Sequence, residues 1–165
     1  MRAMKIKIVP MELMHLAEVL AIEQDSFSDP WSEYAFKSEI SANPHAAYFV
    51  ALEDGKVVGY IGGWLIMDQL HITNLAVDRN YRQKGIAMDL LDRILEYSWQ
   101  EGIREATLEV RVSNNSAINL YRKKGFVSAG CRPGYYLNNN EDALIMWKEM
   151  KGDVGKDDMD KLGSV

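Results

Sequence analysis

Polar and apolar side chains alternate over residues 5–9, which predicts a first strand that loses its next backbone donor at Pro10. Leu13, Leu16, Ala17, Leu20 and Ala21 then recur at helical spacing. They predict a helix over residues 11–24, stopped by the breaker cluster Asp25, Ser26, Ser28, Asp29 and Pro30. Ser32 is placed to cap a second helix, and Glu33 in its first turn suits the helix dipole. Two apolar runs follow, residues 46–52 and 57–67. Asp54-Gly55 between them is a hairpin signal. Residues 70–77 read as a further strand. Residues 86–100 read as an amphipathic helix with Leu90, Leu91, Ile94 and Leu95 inward and Gly102 at its stop.

Residues 106–112 alternate strictly, with Leu108, Val110 and Val112 on one face and Thr107, Glu109 and Arg111 on the other. Asn114 or Asn115 can cap a short helix carrying Ile118, Leu120 and Tyr121, which Gly125 closes. Residues 126–132 and 142–150 supply two more strands. Strands interspersed with helices give an α/β or α+β sheet protein.

Composition narrows the class. With 165 residues, 47% of them hydrophobic, the chain can bury one ordinary core but not two well-developed ones, so one domain is expected over residues 1–150. Residues 151–165 turn to Gly, Asp and Lys, and a polar, disordered tail is expected there. A formal net charge of -5 argues against direct nucleic-acid binding, which needs clustered Lys and Arg to neutralise phosphates. The single cysteine, Cys131, forms no internal disulfide and fits a reducing compartment. No apolar run has the length of a signal peptide or a bilayer span, so a cytoplasmic protein off the membrane is expected. His15, His45 and His71 lack ligand spacing, and no catalytic metal is expected.

The most informative stretch is LHITNLAVDRNYRQKGIAMDLL, a strand running through a loop into a helix. Such a join aims backbone N–H groups and the positive helix end at one point, where a phosphate is well held. Gly85 and Ala87 keep side chains away from that point, while Arg82 and Lys84 add charge. An ordinary helix entry has the same appearance. The Walker loop and the G-x-G-x-x-G fingerprint are both absent.

The R-x-x-G-x-A pattern of Arg82, Gly85 and Ala87, preceded by NLAVDRNY, resembles the acyl-CoA pyrophosphate loop of the GNAT acetyltransferase superfamily. LEVRVSNNSAINLYRKKGF from Leu108 to Phe126, Asp29-Pro30-Trp31-Ser32, and GYYLNNNEDALIM from Gly134 to Met146 are similar to the RimI-like branch, the ribosomal-protein alanine N-acetyltransferases. The resemblance spans nearly the whole chain before the tail. It implies a GNAT fold, a twisted, mixed, mostly antiparallel sheet of about seven strands with helices on both faces. Acetyl-CoA would be the co-substrate, entering where two neighbouring parallel strands splay. The resemblance places the pantetheine arm against the backbone of Leu75, Ala76 and Val77, and the pyrophosphate in the loop of Arg82, Gln83, Lys84, Gly85, Ile86, Ala87 and Met88. Asn114 matches a coenzyme contact, Glu109 the general base and Tyr121 the general acid. The implied acceptor is a protein or peptide N-terminus, in the first instance the N-terminal alanine of ribosomal small-subunit protein eighteen.

The chemistry is compatible with those roles. An α-amine with a pKa of about 7.8 is roughly 30% neutral at pH 7.4, against about 0.1% for a lysine, a gap worth roughly 3.5 kcal/mol. An N-terminal acceptor therefore asks little of its base, and one carboxylate acting directly or through a water is adequate. A phenol keeps its proton at neutral pH and can donate it to a departing thiolate. Plainer readings stand beside these. Glu109 and Arg111 on one strand face can form a solvated charge pair, and Tyr121 can be a core aromatic. Trp31, Tyr135 and Tyr136 can line a peptide site or simply pack. Glu141 and Asp142 can orient a cationic peptide or belong to a solvated turn. Acetylation of a lysine or small amine, and CoA binding without turnover, are the rival functions.

Overall fold

The computed structural model describes residues 4–151, so the expected tail lies outside the described residues except for Lys151. The elements are β1 (Ile6–Pro10), α1 (Leu16–Ser26), α2 (Glu33–Ser41), β2 (Ala46–Glu53), β3 (Lys56–Ile66), β4 (Gln69–Val77), α3 (Ile86–Gln100), β5 (Glu105–Arg111), α4 (Asn115–Lys123), β6 (Val127–Tyr136) and β7 (Glu141–Glu149). The strands form one seven-stranded sheet in the order β1-β2-β3-β4-β5-β7-β6. It is mostly antiparallel, with β4 and β5 as parallel neighbours. Among the described residues no helix is long and apolar enough to cross a membrane.

The described residues gather into two compact units, one of residues up to Trp64 with Asn74–Leu95, the other of Leu65–Thr73 with residues from Glu96 onward. In the first, α1 buries Leu16, Val19 and Ile22 against Phe36, Tyr48, Val50, Val57 and Tyr60. Phe36 is fully buried and meets Tyr60 edge-on, with ring centroids 5.9 Å apart. Burying the Glu23 carboxyl here would be costly without donors. The Tyr60 hydroxyl and the Trp31 backbone N–H both donate to it, and burial pushes its pKa up. The helix expected over residues 11–24 opens instead with a tight turn at Leu13–His15, where the Glu12 N–H donates to His15 Nδ1 at 2.9 Å, and the α-helix proper starts at Leu16. Pro10 stays within β1, opposite Phe49. On an edge strand its missing N–H is tolerated.

In the second unit β5 buries Ala106, Leu108 and Val110 and turns Thr107, Glu109 and Arg111 to its other, half-buried face, as the alternation predicts. Val112 departs from the expected pattern. The strand ends at Arg111, and Val112 is 44% exposed because the chain is already turning, with the Ser113 N–H donating to Glu141 Oε2 at 2.9 Å. Asn114 caps α4, accepting from the Ala117 N–H, so Asn115 is the first helical residue. Ile118 and Tyr121 face inward and Leu120 is half-buried. β6 runs on to Tyr136 rather than stopping at 132. It does so through two register shifts, between Ser128 and Gly130 and between Arg132 and Tyr136.

Candidate active site

In the first unit the backbone of Leu75, Ala76 and Val77 ends β4, with Leu75 half-buried and the other two buried. The chain then tightens into a turn at Arg79–Tyr81. The Asp78 N–H donates to the Val58 carbonyl at 2.9 Å, and the Asp78 side chain accepts from the Asn80 N–H at 2.9 Å. Arg82 was expected to bring charge to a phosphate. Its Nε donates to the Val77 carbonyl at 3.0 Å and its Nη2 to Ser26 Oγ at 3.4 Å, which ties the loop back to the strand it leaves. Arg79 is anchored likewise by two bonds to Asp25, at 3.1 and 2.8 Å.

The loop turns through two left-handed residues, Gln83 at φ 60 and Gly85 at φ 83. Gln83, Lys84 and Gly85 are exposed, Ala87 and Met88 half-buried, and the Ile86 side chain is sunk in the core, leaving its backbone as the part available to a ligand. The Asp89 N–H donates to the Gly85 carbonyl at 3.0 Å, which makes Gly85 the entry to α3. Helix geometry directs the N–H groups of Ile86, Ala87 and Met88 toward that entry, without acceptors inside the helix. They and the positive helix end suit an anion. A Cβ on Gly85 would meet nothing within 4 Å, so its demand is conformational. Gly85→Ala is therefore expected to cost about 1–2 kcal/mol through backbone strain alone, measured as a lower urea midpoint at constant m.

The second unit holds Glu109 and Tyr121. Glu109 on β5 is 11% exposed, and its carboxylate lies 2.6 Å from His71 Nε2 on β4 and 3.3 Å from Arg132 Nε on β6. The bond from His71, opposed by burial and helped by Arg132, holds the Glu109 carboxyl below its ordinary range. Glu109 is thus not paired with Arg111. Arg111 instead bonds Glu141 at 3.1 Å and the side-chain oxygens of Asn138 and Asn139 at 2.9 and 3.0 Å, and lies 4.0 Å over the Tyr136 ring. Glu141, bound also by Ser113 and Asn139, is pushed down to about 2, and Asp142 accepts from the Gly134 N–H at 2.9 Å. Both acids build the β6–β7 turn.

Tyr121 is 6% exposed, its ring centroid 5.6 Å from that of Phe126. Burial, and then the neighbouring Tyr136, push its phenol well above the ordinary value, so it holds its proton. Tyr136 is itself pushed up to about 12, chiefly by burial. Glu109 and Glu141 are among the charges acting on it, and Tyr135 stacks edge-on at 5.1 Å. Glu109, Tyr121, Tyr135 and Tyr136 therefore belong to one unit, together with His71 and Arg132, which sequence reasoning missed. His71 lies two residues before the level of Glu109 in the parallel register, since His71 pairs with Thr107 and both residues sit at odd positions on one face. That signal is legible only once β4 and β5 are known to be neighbours.

Asn114, matched to a coenzyme contact, spends its side-chain oxygen on the α4 cap and stays exposed. Trp31 belongs to the first unit, packed 5.4 Å from Phe36 as a partly buried core residue. Among the described residues no group of three or more His, Cys, Asp or Glu side chains is placed to hold a metal ion.

A thioester carbonyl attacked by an amine needs an ionised acceptor for the nitrogen's proton and a protonated donor for the sulfur. Glu109 and Tyr121 have those two states. Residues 16–126 match the Acetyltransferase (GNAT) family. Over 137 residues the chain is 42% identical to a Bacillus subtilis (strain 168) protein provisionally described as a ribosomal protein bS18-alanine N-acetyltransferase, covering 83% of this chain and 91% of that one. It is 33% identical over 138 residues to the ribosomal protein bS18-alanine N-acetyltransferase of Escherichia coli (strain K12), covering 82% and 92%. The crystal structure of the ribosomal-protein-S18-alanine N-acetyltransferase from Escherichia coli matches with a TM-score of 0.82 at 30% identity, covering 92% of this chain and 97% of that one. A family match over most of the chain, with relatives above 30% identity and the same mixed, mostly antiparallel seven-stranded sheet, makes this chain a member of the GNAT acetyltransferase family, a family of acyltransferases.

Proposed function

We propose that the protein transfers an acetyl group from acetyl-CoA to the α-amine of a protein N-terminus, with the N-terminal alanine of ribosomal protein bS18 as the first candidate. The observation that carries this reading is the Glu109 carboxylate, held ionised by His71 and Arg132 in the same unit as the protonated Tyr121 phenol. The relatives named for alanine acetylation of bS18 support the acceptor.

In this reading the N–H groups at the start of α3 take the coenzyme's diphosphate, and the backbone of Leu75, Ala76 and Val77 pairs with its pantetheine arm. A free amine attacks the thioester carbonyl and the C–N bond forms. Its nitrogen then becomes strongly acidic, so even a carboxylate of low basicity takes the proton at Glu109. The C–S bond breaks and Tyr121 gives its proton to the sulfur; Glu109 then releases its proton to solvent, and solvent restores the phenol. No covalent enzyme intermediate is required in this reading.

Mass spectrometry of a peptide panel after incubation with acetyl-CoA tests the substrate. Ala-starting peptides with the bS18 sequence are expected to gain one acetyl group at the α-amine, and N-terminally blocked peptides containing lysine none. Acetylation confined to the blocked set would replace the α-amine with a side-chain amine as acceptor. Failure to release thiol with any amine, while acetyl-CoA still binds, would leave a CoA-binding module.

A further inference from the structure

Among the described residues of the second unit, Glu109 is a nearly buried carboxylate that faces both a histidine and an arginine. Its two oxygens are assigned separately. Oε2 lies 2.6 Å from His71 Nε2, and Oε1 lies 3.3 Å from Arg132 Nε. A carboxylate only accepts, so the short contact requires the proton to be on His71 Nε2, in either charge state of the ring. The two partners differ in setting. His71 is 31% exposed and stands on β4, whose register with β5 runs from Gln69↔Glu105 to Ile72↔Leu108, immediately before the level of Glu109. Arg132 is 54% exposed and stands on β6 between two register shifts. The shorter contact, to the less exposed partner, is the one to His71.

We propose that His71 is a positioning residue for acetyl transfer: its Nε2–H fixes the Glu109 carboxylate in one orientation, so that the remaining lone pairs face the acceptor amine. This rests on Glu109 being the proton acceptor. The charged and titratable groups around that carboxylate are His71 from β4, Arg132 and Tyr136 from β6, Arg111 on its own strand, and Glu141 from β7. Of these, Arg111 is committed to Glu141 and the β6–β7 turn, and Tyr136 keeps its proton. His71 and Arg132 are thus the groups that set the state of Glu109, and His71 has the larger share.

Two variants of the full chain separate positioning from bulk. His71→Leu removes the donor, and His71→Gln places a neutral N–H at similar reach. With carboxyl-labelled glutamate, and the Glu109 signal identified by its loss in Glu109→Gln, the Glu109 titration in His71→Leu is expected at higher pH than in the wild type. Turnover of an Ala-starting peptide is expected to fall roughly tenfold to a hundredfold, the range that misplacing a reacting group produces. The acetyl-CoA dissociation constant should be unchanged, and His71→Gln should recover most of the turnover. A Glu109 titration unmoved in His71→Leu overturns the proposal, as does a His71→Gln variant that loses as much turnover as His71→Leu. If Glu109→Gln itself keeps full turnover, it is the assignment of Glu109 as proton acceptor that fails. The titration still reports on the His71 contact, so the two failures are distinguishable.

Discussion

Glu109→Gln is expected to lower the rate of the chemical step by about a hundredfold to ten-thousandfold, the range for removing a positioned general base, with little loss of acetyl-CoA affinity. The amide keeps the volume of the carboxylate and β5 keeps its backbone ladder, Glu109 opposite Ile145, so the sheet should survive the change. What is lost is the anion. Gln offers one accepting oxygen to two donors, His71 and Arg132, and its amino group must face one of them. Single-turnover kinetics should be used, because product release limits turnover in many enzymes and would hide the effect.

The pH dependence adds a second readout. In the wild type Glu109 is held below the ordinary carboxylate range, so it is ionised wherever the α-amine titrates, and the rise of kcat/KM with pH reports the amine at about 7.8. In the variant the nitrogen's proton must leave to solvent. The rate should then keep rising at pH values where the wild type has levelled off. A profile and rate indistinguishable from the wild type would remove Glu109 from the mechanism.

Sequence patterning reached the fold because the elements that matter carry clean periodicities. β5 alternates through Ala106, Leu108 and Val110, and α3 presents Leu90, Leu91, Ile94 and Leu95 on one buried stripe. Some boundaries were legible from the pattern itself, as in α3, expected over residues 86–100 and found at Ile86–Gln100, and others from a local cap, as at Ser32, whose hydroxyl accepts from the Ala35 N–H at 3.1 Å. They slipped where a tertiary bond overrode the pattern. Val112 leaves its strand because Glu141, distant in sequence, captures the Ser113 N–H. The extension of β6 depends on its register shifts against β7, which no periodicity encodes.

The candidate site divides in the same way. Glu109 and Tyr121 stood out through motif resemblance. Their charge states come from burial, which dominates at Tyr121, and from His71, Arg132 and Tyr136, brought in from β4 and β6 across 38, 23 and 15 residues of chain respectively for the first two against Glu109 and for the third against Tyr121. Arg82 shows the converse. Its charge and place in the loop suggest a ligand contact, while its bonds to Val77 and Ser26 depend on the path of the backbone and were not legible in the sequence.

Tyr121→Phe is expected to lower turnover about a hundredfold or more, the lower end of what a general acid contributes, while acetyl-CoA binding changes little. Only an oxygen and its proton are removed. The ring keeps its buried seat on α4 and its edge contact with Phe126, so stability should stay close to the wild type. The raised pKa sharpens the expectation. Such a phenol is a weak acid toward bulk solvent and holds its proton through the neutral range. The ordinary thiol pKa of about 8.5 lies below that of the phenol, so the transfer requires the departing thiolate to be desolvated beside Tyr121, where burial raises the basicity of the sulfur as it raises that of the phenol. The defect should therefore depend on the leaving group: an acyl donor whose thiol has a lower pKa needs less help, and the gap between Tyr121→Phe and wild type should narrow with it. A gap of constant size across donors of different thiol pKa would show that the hydroxyl positions a group instead of donating to sulfur, and the acid would have to be sought elsewhere in the unit, with Tyr136 next in line because it too keeps its proton and acts on Tyr121.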